Sequence, residues 1–284
     1  MNTISGFFSF IKSDKQLTAG CMGIALLLFV CAAAPILTTY SPVYYGPDIL
    51  AAPGERGHLL GTNQLGQDIF SIIIYGTRTS LTVAVVSAFI SSVLGILIGG
   101  LGGYFGGIVD RIVAELINVF SMLPTLFLIL LVVSMFGSSI INVMIVIGLT
   151  SWHNNAKLMR AQALSLRERT FVSSAKALGE TNMQILFKYI IPNGIFPVLA
   201  NTTLTMGYAI MYEATLSFLG LGDPTVISWG QMINSGRNFI TSAWWITTFG
   251  GLAIFVTILI FYLTGDGLSH VLNPKRAKGG AARE

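Results

Sequence analysis

Side chains able to do chemistry are few in this sequence, and their spacing is poor for catalysis. His58, His153 and His270 are scattered along the chain and do not converge into an obvious metal site. Cys21 and Cys31 share one apolar run, where they read as buried small hydrophobes and supply neither a disulfide framework nor a metal spacing. Gly95, Gly99, Gly100, Gly102, Gly103, Gly106 and Gly107 form no phosphate cradle, because no Lys-Ser/Thr pair of a P-loop follows them. No nucleophile–base pair and no metalloprotease helix is found. Catalysis, a resident metal, a cofactor bound by this chain and a nucleic-acid partner are therefore not expected.

The ionisable residue that stands out is Glu213. It lies in an apolar run, where a charged group is costly and marks function by default. It either faces a substrate path or pairs with a polar group on a neighbouring subunit, and the structural partner is the preferred reading. Asp110, Arg111 and Glu115 lie near the end of another apolar run. A local ion pair or an interfacial anchor accounts for them more simply than transport chemistry.

The elements that must position these residues follow from composition. The 284 residues are 53% hydrophobic and only 10% charged, against about 25% charged in a soluble domain. With a positive mean hydropathy and long continuous apolar runs, the chain reads as an all-α integral membrane protein rather than a barrel. Six segments are expected to span: Leu17–Thr39, Ser80–Gly103, Ala114–Phe136, Ile140–Trp152 with flanks, Gly194–Leu221 and Trp244–His270. The fourth is the weakest and alternatively reads as re-entrant. No cleavable signal peptide is expected, since the first run lacks a small-residue cleavage site near its end.

Basic residues orient the spans. With both termini on one side, thirteen of the sixteen Lys and Arg fall there, from Lys12 and Lys15 to Arg283, and only Arg56, Arg78 and Arg237 fall opposite. Both termini are thus expected to be cytoplasmic. The expected organisation is a cytoplasmic segment 1–16, a transmembrane domain 17–271 and a cytoplasmic tail 272–284. Within the domain lie an outer loop 40–75, an inner loop 157–193 and an outer segment 220–243. The seven glycines let helices approach closely, and packing against another subunit is the expected use.

The long inner loop is polar and basic. Ser165 to Glu168 has capping-box spacing, and Phe171, Val172, Ala175 and Leu178 then share one helical face. Gly179 tolerates the left-handed backbone that closes a helix. Thr181 to Gln184 is a second capping box, opening a helix that carries Ile185, Leu186, Tyr189 and Ile190 until Pro192 breaks the pattern. Two short helices joined at a glycine are expected. They either rest on lipid headgroups as an amphipathic pair or present a docking surface to a cytosolic partner.

Ala175-Lys-Ala-Leu-Gly179 followed by Ile191-Pro-Asn193 resembles the EAA loop of ABC importer permeases. "HLLGTNQLGQDIFSIIIYGTRTSL" (58–81) and "EATLSFLGLG" (213–222) with Ser228-Trp-Gly230 resemble the C-type permease subunits of the dipeptide, oligopeptide and nickel family. The resemblance covers most of the chain and departs at Ser173 and Ser174, where the family carries Glu-Ala, at Tyr189, often His, and at Gln67, often Arg.

The resemblance implies an ATPase-coupling loop made of Ser173, Ser174, Ala175, Lys176, Ala177, Leu178, Gly179, Glu180 and Pro192. It implies a cap of the outer loop with Arg56, Asp68 and Arg78 beside a substrate-binding protein; a solvated loop is the plainer reading of each. Partners would be a second, distinct permease, two ATP-binding subunits holding ATP and Mg, the external binding protein and membrane lipid, in a bacterial inner membrane. Cargo would be short peptides, or nickel or a metal chelate. Competing readings are an ion-coupled secondary transporter, which needs several buried acidic residues, and a membrane scaffold without a path.

Overall fold

The computed structural model describes residues 14–272; Lys12, the segment before Asp14 and the basic tail lie outside them. Among the described residues no strand forms, only an isolated bridge between Thr62 and Asp68. The helices are α1 (Lys15–Leu37), α2 (Ile69–Phe105), α3 (Gly107–Met122), α4 (Thr125–Phe136), α5 (Ile140–Leu166), α6 (Thr170–Ala177), α7 (Asn182–Gly194), α8 (Phe196–Phe218), α9 (Trp229–Gly236) and α10 (Trp244–Leu272).

Helices α1, α2 and α10 are each long and apolar enough to cross a bilayer. The expected third span is instead two helices, α3 and α4, bent by 85°. Pro124 causes the break: it stands as N-cap of α4, and Leu123 before it adopts extended backbone, as residues before proline prefer. α7 and α8 meet at 62° and qualify together as one span. α5 has 27 residues, long enough to cross. Its second half carries His153, Asn154, Asn155, Lys157, Arg160 and Gln162, and that polarity keeps it out of the apolar class.

α2 has 37 residues, which at 1.5 Å per residue is about 56 Å, well beyond a bilayer core of about 30 Å. It therefore absorbs the end of the expected outer loop, and Arg78 is a helical residue. Asp68 starts the helix, its carboxylate accepting from the Ser71 N–H and hydroxyl at 2.8 Å each.

α2 packs most extensively on α5, and the glycines explain why. A Cβ at Gly95 or Gly99 would collide with Asn155 and Ala156, and one at Gly103 with the Arg160 carbonyl. Gly102 meets Val113 of α3. At Gly95, Gly99, Gly102 and Gly103 the close packing is made within the chain. The remaining long helices add α8 on α10 and α2, and α1 on α10. Asp110 pairs not with the neighbouring Arg111 but with Arg160, through two hydrogen bonds of 2.6 and 2.8 Å that fasten α3 to α5.

Candidate functional site: a rigid two-helix unit and an outer cap

Between α5 and α8 the chain folds into a compact knob. α5 runs through Leu166, so Ser165 is interior to it and caps nothing; the expected first capping box does not form. α6 starts instead at Thr170, with extended Arg169 before it. It ends in a Schellman motif: Gly179 N–H donates to Lys176 O at 3.0 Å and Glu180 N–H to Ala175 O at 3.2 Å, with Gly179 at φ +83°. The second capping box forms, with Thr181 N–H donating to Gln184 Oε1 at 2.8 Å and Gln184 N–H to Thr181 Oγ1 at 3.3 Å.

Pro192 does not end the second helix. A π-helical turn at Leu186–Ile190 precedes it, widening the coil just where proline lacks a donor, and the chain bends only after Gly194. Asn193 Nδ2 donates to the Tyr189 carbonyl at 2.7 Å.

The knob has two apolar surfaces. Val172, Ala175, Ile185, Leu186 and Ile190 are buried with Tyr104 of α2, Met159 and Ala163 of α5 and Val198 of α8. Tyr104 donates to Asn182 Oδ1 at 3.0 Å. Facing away, Leu178 is 83% exposed, Phe187 54%, Met183 52% and Phe171 38%. The helical face read from sequence joined Phe171 and Leu178 to Val172 and Ala175; the structure divides it between the two surfaces. Met183 and Phe187 escaped that reading. Their signal was there: apolar residues four apart on a helix whose other face is already apolar mean a second surface.

Ser173, Ser174, Lys176 and Ala177 are exposed beside Leu178 and Gly179, and Pro192 is exposed at the far end, while Ala175 is interior. The two serines thus change the surface and not the core. Glu180 is clasped by Lys188 Nζ and Tyr189 Oη, each donating at 2.8 Å. The bond from Lys188, then that from Tyr189, holds the Glu180 carboxyl below the usual carboxylate range.

The opposite end is an ordered cap. Ile69, Ile72, Met232, Ala243, Trp245 and Ile246 form a core joining the start of α2 to α9 and α10. Trp245 Nε1 donates to the Thr62 carbonyl at 3.1 Å. Gln67 braces the loop by donating to Pro42 O at 3.0 Å and accepting from Asn63 at 2.8 Å.

Of the three charges assigned to this cap, two are turned inward. Asp68 is buried and lies 2.9 Å from His58 Nδ1 as well as capping α2. Arg78 donates through Nε to the Cys31 carbonyl of α1 at 2.8 Å. Only Arg56 presents its charge outward, paired with Asp48 at 2.6 Å. Sequence spacing shows where a charge falls along the chain, not whether a neighbour claims it.

Glu213 is buried in α8, and its Oε1 accepts from the Ser217 and Ser228 hydroxyls at 2.8 Å each. Ser228 is itself the N-cap of α9. The structural partner expected for Glu213 is therefore in its own chain, and the bond fixes α9 to α8.

A family model for binding-protein-dependent transport system inner membrane components matches residues 91–278. The chain belongs to this family. The permease is a multi-pass inner-membrane transport component, which sets aside the reading as an ion-coupled secondary transporter.

The permease is similar to the dipeptide transport system permease protein DppC of Escherichia coli (strain K12), with 37% identity over 282 residues, 97% of this chain and 94% of the relative. It is 34% identical to the glutathione transport system permease protein GsiD of Pectobacterium atrosepticum, over 94% of this chain and 89% of that protein. An inward-facing structure of the MetNI methionine ABC transporter matches with a TM-score of 0.56 at 20% identity, over 70% of this chain and 96% of that one. At that identity the likeness shows the fold.

Proposed function

We propose that this permease is one of two permease subunits in an ATP-driven importer of short peptides, with the α6–α7 knob as its contact with an ATP-binding subunit. The observation that carries the reading is the knob's second surface: Phe171, Leu178, Met183 and Phe187 are exposed on a unit whose other face is locked into α2, α5 and α8. Exposed anchors on a rigid base are what helix-in-groove docking uses. Force on the anchors passes directly to the three helices beneath.

ATP and Mg belong to the partner subunits, because this sequence carries no P-loop. The excess of Lys and Arg on one side supports a cytoplasmic position for the knob, which lies in the inner loop 157–193, and for both termini. The cap built from residues 40–75 and 220–243 then faces an external binding protein, and a second, distinct permease completes the path. Peptide is the proposed cargo because dipeptide and glutathione transport name the relatives.

Leu178→Asp tests the contact. Burying a leucine against a partner is worth about 1.5–3 kcal/mol, and a buried unpaired carboxylate reverses that. Affinity purification of the tagged variant should recover the second permease and lose the ATP-binding subunits. Retention of those subunits with wild-type binding-protein-stimulated ATPase would remove the knob from the interface.

A further inference from the structure

Among the described residues, a buried polar cluster outside the knob and the cap joins three helices. Asn155 of α5 is completely buried, midway along a helix that the membrane reading makes a span. Its Nδ2 donates to the Ser91 and Ser92 hydroxyls of α2 at 3.2 Å each. Its Oδ1 accepts from Asn201 Nδ2 of α8 at 2.8 Å. Ser92 and Thr202 close the triangle at 2.7 Å between α2 and α8. One side chain therefore uses both ends of its amide to tie three helices at a single level.

The place of this node is what gives it meaning. α5 enters the knob and α8 leaves it. Asn155 lies eleven residues before Leu166, about 17 Å along α5, and Asn201 five residues after Phe196, about 8 Å along α8. The same three helices hold the inner face of the knob, through Tyr104, Met159, Ala163 and Val198. They are thus joined twice, by apolar packing at the knob and by hydrogen bonds within the bundle. Gly95 and Gly99 bring α2 so near Asn155 and Ala156 that an added methyl group would collide, so α2 and α5 have no free play there. The Asn155 amide is not open to a path, and a lone amide is not needed to bury this surface, since an apolar residue of similar size would do that.

We propose that Asn155 is a positioning residue of the transport cycle: it makes α2, α5 and α8 move as one body, so that displacement of the knob reaches the middle of the bundle undiminished. Without the node, α5 and α8 stay joined at the knob but separate above it, and ATP is hydrolysed with less transport. The inference rests on the reading of the knob as the contact with an ATP-binding partner.

The experiment uses the purified complex in lipid nanodiscs and proteoliposomes, with Cys21 and Cys31 replaced by serine. Spin labels at Leu149 on α5 and Tyr208 on α8, both exposed and both on the far side of the node from the knob, report the distance between the two arms by pulsed electron resonance. One narrow distance, the same without nucleotide and with a trapped ATP analogue, is expected in the wild type, and a broadened or shifted one in Asn155→Leu. Uptake of a labelled dipeptide per ATP hydrolysed should fall about tenfold in Asn155→Leu, within the usual range of coupling effects.

Asn155→Leu with Asn201→Leu separates positioning from stability. Replacing both partners by apolar groups relieves unsatisfied amides, so assembly and basal ATPase recover in the double variant while the transport ratio stays low. A wild-type distance that changes by several ångströms on ATP binding, or a double variant with the wild-type ratio, overturns the proposal. Failure of the underlying reading looks different: wild-type complex without binding-protein-stimulated ATPase.

Discussion

Glu213 sits where a carboxylate is costly, and its two serine donors explain how it is tolerated there. Glu213→Gln keeps an oxygen to accept from Ser217 and Ser228, so assembly should stay at the wild-type level. Glu213→Ala leaves both hydroxyls without an acceptor and should lower the melting temperature of the detergent-purified complex, at a cost of about 1–3 kcal/mol. An assembled Gln variant with altered transport would assign Glu213 to the path instead. Glu180 answers to pH differently. Its folded pKa is lowered by Lys188 and Tyr189, so its contribution is complete above the ordinary carboxylate value and lost only as pH falls through the lowered one. The ratio of Glu180→Gln to wild-type ATPase stimulation should therefore be equal at about pH 6 and about pH 8; a steep change between them would implicate another titrating group. At this scale the sequence marked residues better than it marked partners. Glu213 was conspicuous by its setting, but Ser228 is fifteen residues away and meets it only because α9 folds back on α8.

At the scale of elements, local rules succeeded where the answer is local. The Thr181–Gln184 box and the Gly179 turn are set by residues within one or two turns, and both form as spacing implies. The Ser165–Glu168 box has the same spacing but does not cap, because α5 continues past it with Met159 and Ala163 held in the knob's core. Tertiary packing overrode the cap. Pro192 was likewise read as a stop, and the π-helical turn before it absorbs the missing donor. Gly179→Val is the sharp test of the turn. A β-branched residue at φ +83° is strained by roughly 1–2 kcal/mol, with open space around it so that no clash confuses the result. Uptake should fall while the two permeases still purify together; unchanged uptake would show that the turn between α6 and α7 need not be rigid.

For the whole molecule, composition was enough to name a helical membrane protein, and the spacing of its motifs was enough to suggest the family. The bends were not legible, because an apolar run reads the same whether straight or broken at Pro124, and neither was the pairing of α2 with α5 through glycines expected to face outward. Orientation is open to direct test. With the native cysteines replaced, Arg56→Cys should react with a membrane-impermeant thiol reagent added to intact spheroplasts, and Lys176→Cys only after lysis; the reverse pattern would invert the molecule. The central claim, that the knob docks an ATP-binding subunit, is tested most directly by a photoreactive amino acid at Leu178 in the tagged permease, irradiated in native membranes and purified. The account predicts a cross-link to an ATP-binding subunit that is enriched when ATP is trapped. Cross-links to lipid alone, on a chain that purifies without ATPase activity, would contradict it.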